Sequence, residues 1–135
     1  MKLCVCVDKK NGMTFGGRRQ SQDRLQRAEM LSMIGKKRLW ISQYSSSLFD
    51  ASENIVVDNE FPTKAGDDDY CFIEDVMIDI KMCDTVVLYK WNRLYPSDKV
   101  FYDNLAVLGY KRISKREFAG HSHEKITEEI YRKVN

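Results

Sequence analysis

The sequence lacks a dominant charge, a long apolar run and a cysteine motif. Its 22 basic and 20 acidic side chains leave a net charge of +2, so any site for an anion has to be local. No apolar run approaches the roughly 18 residues of a membrane span, and the apolar start is too short for a signal peptide. We therefore expect a cytoplasmic protein that does not contact a membrane.

Only two histidines and four cysteines are present, and the cysteines form no C-x-x-C pair. Cys4, Cys6, Cys71 and Cys83 lie within or beside apolar segments, which is typical of buried, reduced thiols. We expect neither a bound metal nor a cofactor. The Asp67–Asp69 run lacks the spacing of a calcium loop and predicts a solvated turn.

The 135 residues, 43% of them hydrophobic, predict a single α/β domain over residues 1–135. The continuous apolar run Leu3–Val7 is typical of a strand buried on both faces. Further short strands are predicted at 39–41, 55–57, 70–73, 85–91, 100–102 and 110–114. Their clustering predicts one mixed sheet flanked by helices.

Two longer helices are predicted. The first begins after Ser21 as N-cap, carries Leu25, Ala28, Leu31 and Ile34 at helical spacing, and ends at Gly35. A last helix is predicted to begin at Ser122, with Ile126, Ile130 and Val134 as its apolar stripe at i, i+4 and i+8. A short helix is predicted over 43–49.

The order of these features resembles a shortened dihydrofolate reductase. An apolar strand, the Asn11-Gly12-Met13 turn, a loop over 14–20 and an early helix carboxylate, Asp23, follow one another as in that family. The resemblance implies that Asp23 would hold a pterin. The paired glycines that receive the nicotinamide cofactor's pyrophosphate in that family have no counterpart here, so the resemblance implies the layout rather than the reductase activity.

A second resemblance covers nearly the whole chain. Segments 6–13, 18–24, 64–74, 89–96 and 118–127 are similar to short proteins of Gram-positive bacteria that are often labelled ribonuclease Z. The resemblance implies RNA hydrolysis by two zinc ions bound through H-x-H-x-D-H. Only His121 and His123 are available here, and no Asp-His follows them, so two metal ions would lack ligands.

Three segments could carry chemistry. The first combines Gly16, Gly17, Arg18, Arg19, Ser21, Asp23 and Arg24. Glycines allow a close backbone approach, helix-start amides attract anions, and arginines grip phosphate in bidentate fashion. This pattern predicts a phosphate cradle, and the alternative is a mobile loop with solvated arginines.

The second segment, 120–125, contains Ser122, His123 and Lys125 at the predicted start of the last helix. His123 could act as a general acid or base, or both histidines could be exposed on a turn. The third segment, 90–96, presents Trp91, Asn92, Arg93 and Tyr95. Aromatic and cationic side chains suit a stacked base, and the alternative is that they close the core. We expect Asp23, Arg18, Arg19, Arg93 and His123 to line one cleft.

The sequence thus favours a module that binds a phosphorylated small molecule or an RNA end. A small metal-independent ribonuclease that uses His123, a degenerate reductase that uses Asp23, and a protein-interaction domain remain alternatives. Self-association is left open.

Overall fold

A computed structural model describes residues 1–134 of the chain. Residues 1–134 form ten strands and one α-helix. The strands are β1 (Lys2–Val7), β2 (Gly12–Phe15), β3 (Arg18–Arg19), β4 (Leu39–Ile41), β5 (Ile55–Val57), β6 (Tyr70–Ile73), β7 (Thr85–Lys90), β8 (Lys99–Val100), β9 (Tyr110–Phe118) and β10 (Ile126–Lys133). The helix α1 spans Arg24–Ile34, and short 3₁₀ turns occupy Tyr44–Leu48, Phe61–Thr63 and Ile80–Met82.

Seven strands form one mixed sheet in the order β5-β4-β6-β1-β7-β10-β9. Strands β5, β4, β6, β1 and β7 pair in parallel, whereas β10 pairs antiparallel with both β7 and β9. A smaller sheet, β3-β2-β8, stands beside it. The predicted α/β class with a mixed sheet is therefore confirmed. The helices of the described chain are too short and too polar to span a bilayer.

The two faces of the large sheet are covered differently. One face packs on α1 through an apolar cluster that includes Met30, Ile34, Phe72 and Tyr89. The other face is covered by 3₁₀ turns and loops, whose buried side chains include Phe61, Ile80, Phe101 and Leu105. The sheet is therefore covered on one face by the α-helix and on the other by side chains from loops and 3₁₀ turns.

The predicted last helix is wrong, because residues 126–133 form strand β10. The apolar spacing of Ile126, Ile130 and Val134 fits a helix, but the segment is rich in β-branched residues, which pack well in sheets. Six residue pairs join β10 to β7, and eight join it to β9. These long-range pairings override the local periodicity.

Two buried glutamates of β10 are paired by cations from neighbouring strands. Glu128 accepts from Arg116 at 2.8 Å, and Glu129 lies 3.1 Å from Lys90 Nζ and 3.3 Å from Arg112 Nη1. Because buried carboxylates are costly without such partners, β10 depends on its position between β7 and β9.

The predicted start and inward face of α1 also require correction. The N-cap is Asp23 rather than Ser21, since its carboxylate accepts from the amides of Leu25 and Gln26. The buried residues are Gln26, Met30 and Ile34, whereas Leu25 is 41% exposed. The predicted apolar stripe was therefore wrong at its start, where Leu25 faces solvent. The polar residue Gln26 is buried there instead, which the apolar spacing did not predict.

This rotation of the helix gives a stability prediction. Met30→Ala should lower the free energy of unfolding by about 2–5 kcal/mol, because it leaves a cavity where Met30 is fully buried. Leu25→Ala, on the same helix, should cost less than about 1 kcal/mol. Urea denaturation of both variants checks this, and an equal loss in the two would contradict the observed packing of α1.

Candidate functional site

The polar side chains gather at one edge of the large sheet. The parallel strands β1, β4, β6 and β7 are followed directly by Asp8, Ser42, Glu74 and Trp91. The start of β10 reaches the same edge because β10 runs in the opposite direction. In open α/β sheets this edge, at the carboxyl ends of the parallel strands, commonly carries the ligand site.

Asp23 is the centre of the densest hydrogen-bond cluster at this edge. Its Oδ1 accepts from the amides of Leu25, Gln26 and His121 at 2.9, 3.2 and 2.9 Å. Its Oδ2 accepts from the Ser122 amide at 2.9 Å and lies 2.9 Å from His123 Nδ1. The carboxylate thus joins the start of α1 to the turn between β9 and β10.

The same contacts control the ionisation of Asp23. Burial would raise its pKa, but the amide of His121, the ring of His123 and the amides of Ser122 and Gln26 together hold the pKa well below its usual range. Asp23 is therefore an anion, and both of its carboxylate oxygens have hydrogen-bond partners within the protein. It caps α1 and anchors the turn, and it does not present a free carboxylate to a pterin as the family resemblance implied.

His123 is buried between Asp23 and two hydroxyl groups. Its Nε2 lies 2.9 Å from Ser21 Oγ and 3.2 Å from the Tyr95 hydroxyl. Trp91 stacks on the imidazole, with ring centroids 4.5 Å apart and planes 19° apart. Only 3% of His123 is exposed, so it does not lie free on a turn.

The segment that was predicted to form a Gly/Arg phosphate cradle forms the β2–β3 hairpin instead. Gly16 and Gly17 form its two-residue turn, with φ of 59° and 75°, which only glycine adopts readily. Arg18 is exposed beside this turn. The pattern that indicated a phosphate cradle therefore encodes a tight hairpin turn.

Arg19 is already paired inside the protein. Its Nε and Nη2 donate to both oxygens of Glu74 at 2.8 and 3.0 Å, and its guanidinium lies over the Tyr44 ring at 4.6 Å. Ser45 also donates to Glu74, at 2.8 Å. A bidentate pair of this kind leaves Arg19 little capacity to grip an external anion.

Residues of the third predicted segment, 90–96, hold the turn between β9 and β10 in place. Asn92, in a left-handed conformation at φ 61°, donates to the carbonyl of Lys125 and to Thr127 Oγ1. Arg93 and Lys125 border a shallow depression beside Trp91, and Lys125 pairs with Glu117 at 2.9 Å. Ser122 belongs to a turn rather than to a helix start.

The structure therefore brings together one part of the predicted set and separates the rest. Five residues meet around the imidazole of His123: Ser21, Asp23, Trp91, Tyr95 and Ser122. The three arginines Arg18, Arg19 and Arg93 do not share the predicted cleft with His123. Arg18 lies on the exposed hairpin, Arg19 is bound to Glu74, and Arg93 is on the surface depression.

Two neighbouring cavities were not predicted, and the smaller of them lies at this edge. A narrow inner cleft of about 10 Å³ is lined by Cys6, Ser21, Gln22, Gln26, Arg27, Leu48, Phe72, Glu74 and Trp91. An outer groove of about 520 Å³ runs between α1 and the segment 48–55 and shares Arg27 and Leu48 with the inner cleft. The basic residues of α1 and the apolar residues of 48–55 were the only signals in the sequence for this groove.

Comparison with solved structures identifies the architecture as that of dihydrofolate reductases. The dihydrofolate reductase from Enterococcus faecalis, solved in complex with NADP(H) and RAB-propyl, matches with a TM-score of 0.64 at 8% sequence identity. The match covers 99% of this chain and 96% of that chain. At this identity the likeness confirms the predicted fold and carries no activity with it.

The sequence matches no family model, and no curated protein matches it. The ribonuclease Z label therefore has no support. Among residues 1–134, no three His, Cys, Asp or Glu side chains converge as metal ligands.

The residues at the end of β6 do not fit a nicotinamide cofactor. Instead of paired glycines, the acidic residues Glu74 and Asp75 follow the strand, and Ser42 donates to Asp75 at 2.8 Å. Carboxylates at this position would repel a pyrophosphate. The connection to β7 contains only the 3₁₀ turn Ile80–Met82 rather than a helix.

The role of Asp23 predicts a specific dependence of stability on pH. Because the folded state depresses the pKa of Asp23, its stabilising contribution is fully present above about pH 5 and is lost as the pH falls below the unfolded value of about 3.9. Asp23→Asn should therefore cost about 2–3 kcal/mol at pH 7. The difference from the wild type should shrink in acid.

Guanidinium denaturation between pH 7 and pH 3 measures this difference. Asp67→Asn, in the exposed acidic turn, is the matched control and should follow the wild type at every pH. A constant difference between the wild type and Asp23→Asn across this range would contradict the linkage.

Proposed function

We propose that the protein binds a small anionic ligand with a flat ring, such as a nucleotide, in the outer groove beside α1. The ligand class is the one that the sequence favours, but the site moves from the Gly/Arg hairpin to this groove. One observation carries the proposal: two arginines of α1 border a groove of about 520 Å³ that also has an apolar wall. Pockets for small ligands typically measure about 300–1,000 Å³.

The apolar wall supports the ring half of this ligand. Leu31 of α1 lies on one side of the groove, and Leu48, Phe49 and Ile55 lie along the segment opposite. These four side chains are half-buried rather than sealed in the core. Phe49 is held edge-on against Phe72 with centroids 5.7 Å apart, so it offers a fixed surface for an aromatic ring.

The two arginines support the anionic half. Arg24 and Arg27 are three residues apart on α1 and therefore lie on neighbouring positions of one helix face. Among residues 1–134 neither forms an ion pair, and Arg27 Nη1 donates only to Gln22 Oε1 at 3.2 Å. Asp50 borders the same groove, which favours a ligand with a monophosphate over one with a longer, more highly charged phosphate chain.

Calorimetry with AMP tests this proposal. Arg24→Ala and Arg27→Ala should each weaken AMP binding about tenfold, since one charge-assisted contact contributes about 1.4 kcal/mol. Arg18→Ala, an exposed arginine on the hairpin, is the matched control and should leave the affinity unchanged. Adenosine and inorganic phosphate should each bind more weakly than AMP, because each fills only half of the groove.

Two outcomes would overturn the proposal. One is that AMP, adenosine and phosphate all fail to bind at millimolar concentration. The other is that Arg18→Ala weakens AMP binding as much as Arg27→Ala does, which would mean a diffuse charge effect instead of a site.

A further inference from the structure

Ser21, His123 and Asp23 form a continuous hydrogen-bonded chain. Ser21 Oγ lies 2.9 Å from His123 Nε2, and His123 Nδ1 lies 2.9 Å from Asp23 Oδ2. Nucleophile, base and orienting carboxylate stand at these separations in serine hydrolases of unrelated folds. We propose that these three residues are a catalytic triad that hydrolyses a small carboxylic ester, with Ser21 as the nucleophile. This activity goes beyond the proposed ligand binding and does not depend on it.

The surroundings of Asp23 fix the orientation of the imidazole. The carboxylate is anionic and already accepts from backbone amides, so the His123 nitrogen facing it is the one that carries the proton. The lone pair of Nε2 is then directed at the two hydroxyls, where it can accept a proton. Trp91 stacks on the ring and prevents it from turning away.

Of the three residues, Ser21 alone lines the inner cleft. Asp23 and His123 are 2% and 3% exposed, whereas Ser21 is half-buried and shares the cleft with Gln26, Arg27 and Glu74. The base and the carboxylate are thus shielded from water, and Ser21 is the most exposed of the three residues. Cys6 borders the same cleft, but burial and the nearby Glu74 raise the pKa of its thiol well above the ordinary value. Cys6 is therefore a weaker nucleophile than its type suggests.

The cleft also contains donors for a developing oxyanion. Gln26 is 1% exposed, and within residues 1–134 its Nε2 has only the sulfur of Met30 as a partner, at 3.8 Å. Arg27 also lines the cleft. Side-chain amides supply oxyanion stabilisation in known hydrolases, where loss of one donor costs roughly 10²–10³ in kcat.

The reaction follows from these positions. Ser21 Oγ attacks the ester carbonyl carbon while its proton passes to His123 Nε2. The carbon–oxygen bond to the alcohol breaks, and the alcohol leaves with that proton. Water then attacks the acyl-Ser21 carbonyl, gives one proton to Nε2, and releases the carboxylic acid as the proton returns to Oγ.

An ester approaches Ser21 at the surface of the inner cleft rather than filling it, because a volume of about 10 Å³ holds no more than about one water. Leu48, Phe72 and Trp91 make much of its lining apolar, which suits a neutral acyl group. Glu74 borders the same cleft and already holds Arg19, which leaves Arg27 as the one cation in the lining among residues 1–134.

A small fluorophosphonate tests the triad directly. Its phosphorus should bond to Ser21 Oγ with loss of fluoride, which intact-mass and peptide mass spectrometry detect. Ser21→Ala, which removes one atom, should abolish the adduct. Ser47→Ala, an exposed serine of the 3₁₀ turn, is the matched control and should be labelled like the wild type. Hydrolysis of p-nitrophenyl acetate should show the same pattern.

Two further variants distinguish activation of the Ser21 hydroxyl by His123 from a loss of folded structure. His123→Gln should slow labelling at least about 100-fold, given that loss of a triad residue costs roughly 10⁴–10⁶ in kcat in known hydrolases. Tyr95→Phe removes the competing hydroxyl at 3.2 Å and should keep or increase the rate. Near-UV circular dichroism confirms that each variant is folded.

The triad is overturned if the wild type gives no adduct. It is equally overturned if the adduct maps to a residue other than Ser21, or if folded His123→Gln reacts as fast as the wild type. Loss of labelling in Tyr95→Phe would also contradict the role given to Ser21. None of these results bears on AMP binding in the outer groove, which calorimetry measures separately.

Discussion

The carboxylate of Asp23 is the interaction on which the site depends. It caps the single α-helix and accepts two amides and an imidazole from the turn between β9 and β10. These two segments lie about a hundred residues apart in the chain, so this one side chain closes the edge of the sheet where the cavities lie. Gly120 is required in the same turn, because a Cβ there would lie 2.6 Å from Asp23 Oδ2.

Two other buried carboxylates organise the same edge by the same means. Asp8 accepts from the amides of Lys10, Gly12 and Tyr95 and thereby positions the β2 hairpin and the segment after β7. Glu74 holds Arg19 and Ser45. Each carboxylate is compensated by protein donors, as buried charges require. Their hydrogen bonds are made within the protein.

The parts of the fold that were predictable are those with a local cause. Leu3–Val7 was identified as a buried strand because strands covered on both faces are apolar throughout, and β1 is the central strand between β6 and β7. A helix was expected after Ser21 from its capping and spacing, and the structure has that helix with its N-cap two residues later, at Asp23. His123 and Asp23 were singled out as candidate catalytic residues, and the structure places His123 Nδ1 2.9 Å from Asp23 Oδ2, with Asp23 also capping α1.

The parts that were missed have a non-local cause. Residues 126–133 have the apolar spacing of a helix. They form a strand because they pair with β7 and β9, which are distant in the sequence. The fate of Arg19 depends on Glu74, 55 residues further along the chain, so the basic loop could not be recognised as an internally neutralised hairpin. Gln26 shows no apolar signal, yet its burial sets the rotation of α1.

The protonation state of His123 is the most direct test of this account. Long-range ¹H–¹⁵N correlation spectra at neutral pH distinguish the two imidazole tautomers, and the exposed His121 serves as an internal reference. The account predicts that His123 carries its proton on Nδ1, bonded to Asp23, with Nε2 unprotonated toward Ser21. A neutral His123 protonated on Nε2 would contradict it.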